Sequence, residues 1–448
     1  MQRKYQVCLL VLVAGLLFVS ACVSHSNKSE VSVQIPSLPA GVFYVHPEVN
    51  LGEISPLVYG VNHGPWAIIT DKTLPLAQQS EISIIRYPGG NWGDEHDLLP
   101  YHIDQFALLA EQMGSQMSIN VRLFDGTPEK AAALVRYANI EKGYNIRYWG
   151  IGNEPTLYAT SRGAPDYGVE HFNQEWCAFA EAMKAVDPSI LLIGPELHQF
   201  ASDLESTPKD PIGLDWMTEF LKVNGDLVDV VSVHRYPFPQ GRGGRAATID
   251  ELAAASTEWD TIIPYLRDLI HETTGRDIPI AVTEINSHWS NAFGGKATPD
   301  SFYNAIWWAD VLGRMIYQRV EIVNYFSLQS HPSIGGYGLF SRSEPRPTYY
   351  VYQMYKKFGN QLVYAACDDA RVGIYAARRD DGTLTVMLVN LSNEVISKPL
   401  VVQGMETFQA EVWLFDQNHL AECLGTESFI SEAEFNIPAQ SLTLVVLG

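Results

Sequence analysis

Eight short apolar, β-branched runs recur between residues 51 and 327, each separated from the next by a longer stretch of helical pattern. This alternation constrains the fold more than any other feature of the chain, because a parallel strand can only be reached through a crossover connection, usually a helix. The runs are Leu57 to Val61, Ile82 to Arg86, Met117 to Arg122, Ile146 to Gly150, Ile190 to Gly194, Val228 to Val233, Ile278 to Thr283 and Glu321 to Phe326. Helix signals lie between them: Thr127 followed by Pro128 reads as an N-cap and first helical residue. Eight strand–helix units predict an α/β fold, a (β/α)8 TIM barrel. An open doubly wound sheet would carry a Gly-rich phosphate loop after an early strand, and the sequence has none.

After about residue 355 the period changes to strict alternation, as in Thr383 to Val389 and Ser441 to Leu447, with Asp380-Asp381-Gly382 as a turn. This predicts a C-terminal β-sandwich domain over 351–448, behind a catalytic barrel over 51–350. Residues 31–50 also read as strand, and the expectation is that they cross over to join the sandwich.

The N-terminus reads as an export segment. Arg3 and Lys4 precede an apolar run from Val7 to Val19 that is short for a bilayer span, and Val19-Ser20-Ala21-Cys22 resembles a bacterial lipobox. Residues 1–21 are thus expected to be a lipoprotein signal peptide, Cys22 the lipidated residue, and 22–30 a polar tether. The protein is expected outside the cytoplasm, on a membrane only through that anchor. Loss of Arg3 and Lys4, with no acid, takes the net charge from −21 to −23. Such a surface repels nucleic acid and disfavours polyanionic substrates. Beyond the signal and Cys22, only Cys177, Cys367 and Cys423 remain; they show no metal-ligand spacing, a bridge between Cys367 and Cys423 is open, and Cys177 is expected to be buried.

In a TIM barrel the C-terminal ends of the strands line the active-site mouth, so each strand is read for what stands at its end. The fourth ends in Gly152-Asn153-Glu154-Pro155 and the seventh in Thr283-Glu284-Ile285-Asn286. Two carboxylates from opposing sides of one rim are what glycoside hydrolysis requires: one protonates the leaving oxygen, the other attacks the anomeric carbon or activates water. Glu154 is expected to be the acid/base, with Trp149 as an apolar wall raising its pKa, and Glu284 the nucleophile.

Asn153-Glu154-Pro155 after strand four and Glu284 after strand seven resemble glycoside hydrolase clan A, the retaining hydrolases on a (β/α)8 barrel. The resemblance implies that Asn153 hydrogen-bonds the substrate 2-hydroxyl. Arg86-Tyr87-Pro88-Gly89-Gly90-Asn91 resembles the matching segment of family 51 α-L-arabinofuranosidases, implying that Arg86 supports the nucleophile and Asn91 contacts sugar. Gly152 to Tyr158 and Thr283 to Ser287 are similar instead to family 79, the β-glucuronidase group, and families 39 and 30 share the architecture.

Other rim residues can be read independently. Arg86 could hold a carboxylate ionised by proximity. His234 and Tyr236 follow strand six; Tyr236 is the favoured partner of Glu284 and His234 is expected nearer the sugar. Trp66, Trp92, Trp289 and Tyr337 are candidates for stacking on sugar faces, and His63, His288 and His331 for reaching hydroxyls. No His-Glu-x-x-His or Gly-x-Ser-x-Gly motif occurs, so neither metal, cofactor nor serine nucleophile is expected. The sequence therefore predicts a retaining glycoside hydrolase acting on an oligo- or polysaccharide, arabinofuranosidase-like on hemicellulose. The alternatives are a β-glucuronidase-like enzyme and a non-catalytic carbohydrate-binding lipoprotein; the intact carboxylate pair argues against the latter, and a separation beyond about 10 Å would count against the mechanism.

Overall fold

The structure, a computed structural model, describes residues 35–240, 243–330 and 336–448. The expected signal peptide, tether, Cys22, the first residues of 31–50 and His331 lie outside the described residues.

Eight parallel strands close into a barrel in chain order: Gly60–Asn62, Ile84–Tyr87, Gln116–Val121, Tyr148–Ile151, Leu191–Leu197, Val230–Arg235, Ile280–Ile285 and Ile322–Tyr325, the last pairing with the first. They coincide with the eight sequence runs within a few residues. The first begins later than expected, because Pro56–Val58 forms a 3-10 turn capped by Ser55. The predicted N-cap is present, Thr127 accepting from the Lys130 backbone N–H at 3.3 Å ahead of helix Pro128–Val135.

The C-terminal part is a nine-stranded sheet whose order is Glu422–Ile430, Thr407–Phe415, Ser441–Leu447, Leu384–Asn390, Val372–Arg378, Gln361–Cys367, Phe43–Glu53, Ile396–Val402 and Glu434–Ile437. Strand Phe43–Glu53, from before the barrel, runs antiparallel to Gln361–Cys367 and parallel to Ile396–Val402. Alternation along Leu384–Asn390 explains how the sheet holds two cores: Val386 and Leu388 pack in the sheet's own interior, Met387 and Val389 against the barrel. Helix Pro347–Tyr355 crosses the expected boundary at 350 and packs on helix Phe302–Tyr317.

Helix Phe302–Tyr317 is the joint between the two parts. Gly313 leaves room for the Tyr375 ring, whose hydroxyl donates to Asp310 Oδ1 at 2.7 Å, and Arg314 Nε donates to Asp310 Oδ2 at 2.8 Å. Cys177, Cys367 and Cys423 are all free thiols, and Cys177 is half-buried on helix Val169–Val186, where its sulfur packs beside Glu181, so it is not the core residue expected.

Candidate active site

Along the inside of the barrel the side chains change from apolar to polar. Leu57, Ile84, Tyr148, Ile193, Val230, Ala281 and Ile322 form a plug at the N-terminal end of the strands. Two residues further along the same faces stand Arg86, Ser232, Thr283 and Asn324, all buried. Polar groups so deep call for partners: Ser232 Oγ accepts from the Glu196 N–H, Thr283 Oγ1 meets His234 Nε2, and Asn324 Nδ2 donates to the Val61 carbonyl.

Arg86, at the end of strand two, is the centre of that network and is fully buried. Its Nη1 donates to Glu284 Oε1 at 2.8 Å and to Asn62 Oδ1 at 2.9 Å, its Nη2 to Asn153 Oδ1 at 2.8 Å and to Glu196 Oε2, and its Nε to Glu196 Oε1 at 3.3 Å. All five guanidinium N–H groups are thereby used. Burial would weaken the charge of this group, but Glu196 and Glu284 outweigh it and hold the guanidinium more firmly protonated than usual.

Two irregularities aim the carboxylates. The pairing of strand seven slips between Val282 and Ile285, so Thr283 and Glu284 both reach the barrel interior. Strand five slips between Pro195 and Leu197, with Glu196 at φ +56°. Glu154 is likewise left-handed, at φ +48°. A side chain in that region costs roughly 1–2 kcal/mol, a strain that recurs at functional sites.

An oxygen of Glu154 and an oxygen of Glu284 lie within 4.8 Å of each other. This is close to the roughly 5–5.5 Å of retaining glycosidases, well short of the 6.5–9.5 Å that leaves room for an inverting water, and far inside the 10 Å or so that would count against the mechanism. Tyr236 Oη donates to Glu284 Oε2 at 2.7 Å. His234 is fully buried between the carboxylates: Nδ1 lies 3.1 Å from Glu154 Oε1 and 3.9 Å from Glu284 Oε2, while Nε2 is 3.1 Å from Thr283 Oγ1 and 3.6 Å from Glu196 Oε2. Burial alone would lower its pKa; the three glutamates raise it to about 9. For Glu154, burial pushes upward, but the hydrogen bond and charge of His234, joined by His198 and Arg86, bring the carboxyl below its ordinary value.

This overturns the expectation of a raised Glu154 pKa, and the reason is visible. The Trp149 ring is no wall of the site: it is buried between strand and helices, its Nε1 on Ile146 O at 2.8 Å, and a charged imidazole stands beside the carboxyl instead.

The site opens into a cavity of about 650 Å³, lined among others by Gly90, Asn91, His198, Trp289, Phe326 and Tyr337. Gly90, at φ +70°, brings its backbone to the pocket wall where a Cβ would stand 3.6 Å from Glu284 Oε1. Asn91 faces the cavity and accepts from Asn153 Nδ2 at 3.3 Å. Trp289 and Tyr337 line the cavity as candidates for stacking, whereas Trp66 lies on Phe326 and Trp92 on His96. His234 hydrogen-bonds Glu154 rather than fronting the cavity, and His63 and His288 are buried, each held near a pKa of 4 by that burial.

Two carboxylates of the network escaped sequence reasoning. Glu196 stands two residues beyond the expected end of strand five at Gly194, inside the observed strand Leu191–Leu197, and reading that strand's end as strands four and seven were read would have found it. Asp94 sits behind Asn153, accepting from its backbone N–H at 2.9 Å and from Tyr158 Oη at 2.5 Å; burial lifts its pKa to about 6.

Glu154, His234 and Glu284 each bring one possible ligand atom within 4.8 Å of the others, a spacing a cation can bridge. Both ring nitrogens of His234 are already engaged, Nδ1 with Glu154 Oε1 and Nε2 with Thr283 Oγ1, each at 3.1 Å. The set suits a proton and a sugar better than a metal.

Fold and site together define a clan A glycoside hydrolase, a class that works with retention. The model of the family described as glycosyl hydrolases family 39 matches residues 144–400, more than half the chain and a stretch that includes both glutamates. The chain belongs to that family. Among curated proteins it is 26% identical over 340 residues to endoglucanase A of Paenibacillus lautus, covering 63% of this chain and 45% of that one. It is 23% identical over 205 residues to α-L-arabinofuranosidase C of Emericella nidulans, covering 33% of this chain and 40% of that one. The chain thus spans less than half the length of these relatives. In fold it is similar to the α-L-arabinofuranosidase of Thermotoga maritima solved with arabinose, with a TM-score of 0.72 and 16% identity over 91% of this chain and 99% of that one. A family 44 xyloglucanase of Paenibacillus polymyxa gives a TM-score of 0.69 and 16% identity over 92% of this chain and 100% of that one.

Proposed function

We propose that the protein hydrolyses a neutral hemicellulose glycoside, an α-L-arabinofuranoside first of all, by double displacement between Glu284 and Glu154. The observation that carries this reading is the carboxylate pair within 4.8 Å, one member bound by Arg86 and Tyr236 and the other by His234. A Glu284 oxygen attacks the anomeric carbon as the bond to the leaving oxygen breaks, and that oxygen takes the proton of Glu154. Water then adds to the same carbon, its proton returning to Glu154 as the ester to Glu284 breaks. Both faces are used once, so configuration is retained.

A neutral sugar is favoured over a uronate by the cavity's cations. Among the described lining residues the only arginine or lysine is Arg235, and it is engaged by Glu258 at 2.6 Å. His198 also faces the cavity, but burial lowers its pKa and keeps it neutral. Among those described residues a glucuronide carboxylate would meet no free positive partner to compensate its desolvation. A β-glucan is the second reading, supported by the 340-residue match to endoglucanase A.

Turnover across aryl α-L-arabinofuranoside, β-D-xyloside, β-D-glucoside and β-D-glucuronide, with Glu284→Ala alongside, tests this. One neutral member hydrolysed by the native protein alone supports it; preference for the glucuronide, or turnover that survives in Glu284→Ala, defeats it.

The lipobox reading supports an extracytoplasmic, lipid-anchored enzyme. Native protein should partition into detergent and Cys22→Ser should not; equal partitioning of the two would remove the anchor.

A further inference from the structure

Glu196 stands at the centre of the barrel with no exposed surface, and the double displacement gives it no step. A third buried carboxylate beside two working ones is costly to keep unless its charge is used. Its partners show where the charge goes. Both of its oxygens take Arg86, Oε1 through Nε and Oε2 through Nη2; Oε2 also accepts from Asn120 Nδ2 at 2.7 Å and lies 3.6 Å from His234 Nε2. Its backbone is held as well, the N–H donating to Ser232 Oγ at 3.0 Å and the carbonyl accepting from the Glu154 N–H at 3.2 Å.

We propose that Glu196 is a positioning residue for the hydrolysis, acting through Arg86 and His234, its fixed negative charge keeping the site electrically neutral in both half-reactions. The proposal rests on the assignment of Glu154 and Glu284 made above. In the protonated form from which Glu154 donates, a form the charge of His234 disfavours at rest, the anions facing Arg86 and His234 are Glu284 and Glu196. In the glycosyl-enzyme Glu284 is an uncharged ester, Glu154 has given up its proton, and the anions are Glu154 and Glu196. Counted over the groups that face Arg86 and His234, with Asp94 behind Asn153 left aside, the balance is zero at both stages.

Without Glu196 the site would carry one net positive charge throughout, opposing a transition state in which positive charge builds on the sugar ring. Arg86 would also fall wholly on Glu284 and weaken it as a nucleophile. The groups facing His234 are Glu154 from strand four, Glu196 from strand five, Glu284 from strand seven and, just past the end of strand five, His198, whose own pKa burial lowers.

The direct test is the ionisation of His234 in the full-length protein, read by nitrogen-15 NMR of the imidazole and assigned by its loss in His234→Gln among the 12 histidines of the chain. Native His234 is expected to stay protonated from pH 6.5 to 8. A neutral His234 there overturns the proposal outright, whatever the variants do. In Glu196→Gln the imidazole pKa should fall by about 1–3, and kcat/KM by on the order of a hundredfold with KM little changed. The basic limb of the pH–rate profile should move to lower pH. Glu196→Asp, which keeps the charge, should leave that limb in place. An unmoved histidine in a folded Glu196→Gln, or activity within threefold of native, overturns the proposal too. Turnover that persists in Glu284→Ala instead defeats the catalytic assignment, while the histidine titration still reports on the charge balance.

Discussion

Tyr236 donates its phenolic hydrogen to Glu284 Oε2 at 2.7 Å, the oxygen that Arg86 leaves free. The contact steadies a charge that must turn and attack, and burial with the neighbouring carboxylates raises the phenol's own pKa well above its ordinary value, so it remains a donor. Tyr236→Phe removes one hydrogen bond to a charged group, about 1.5–3 kcal/mol. We expect kcat to fall roughly 10- to 100-fold, conversion at 1.4 kcal/mol per decade, with substrate affinity nearly unchanged. An unaltered kcat would separate Tyr236 from the nucleophile.

Glu154→Ala should discriminate among leaving groups. Glycosides that need a proton to depart should lose about 10²–10⁴-fold, while aryl glycosides with acidic phenols should form the glycosyl-enzyme and stall. Added azide should then release a glycosyl azide of retained configuration. Inverted product would contradict the retaining order of events.

His234 sets a basic limit. Its pKa, raised from 6.5 to about 9 by the surrounding carboxylates, means that its contribution to stability is fully present below pH 6.5 and is lost as pH rises through about 9. Thermal stability and kcat/KM should therefore decline together on the alkaline side of neutrality. In His234→Gln the stability decline over that range should disappear; its persistence would assign the effect to another group.

The joint between barrel and sheet is close-packed. A Cβ at Gly313 would stand 2.1 Å from the Tyr375 ring, whose single O–H, shared between the Asp310 carboxylate and carbonyl, holds it in place. Gly313→Ala is expected to destabilise by about 1–3 kcal/mol through overpacking, measured by urea unfolding, with no change in the pH profile. A neutral result would mean that the helix shifts freely on the sheet.

The barrel was legible because each strand is short, β-branched and followed by a helix, a rhythm that survives divergence. Glu154 and Glu284 were legible because strand ends in a barrel meet at one rim. What sequence could not carry was the interior arrangement. Glu196 is aimed inward by a slip in strand pairing, and His234 lies against Glu154 because Thr283 holds its far nitrogen. The Glu154 pKa was misjudged for the same reason, since a neighbour in sequence, Trp149, was given the place that a neighbour in space, His234, occupies.

The strand Phe43–Glu53 lies between Gln361–Cys367 and Ile396–Val402, and just ahead of it the Gly41 N–H meets Asp368 Oδ2 across 327 positions of chain. A polypeptide emerging N-terminus first must hold this apolar strand unpaired until the tail is delivered, so the earliest and latest portions of the described chain are completed in one closing act. A product that stops after the barrel would keep Phe43 and Val45, both wholly buried in the finished protein, without their covering strands. Premature termination would thus advertise itself as an open, adhesive edge, and only full-length chains would pass as finished.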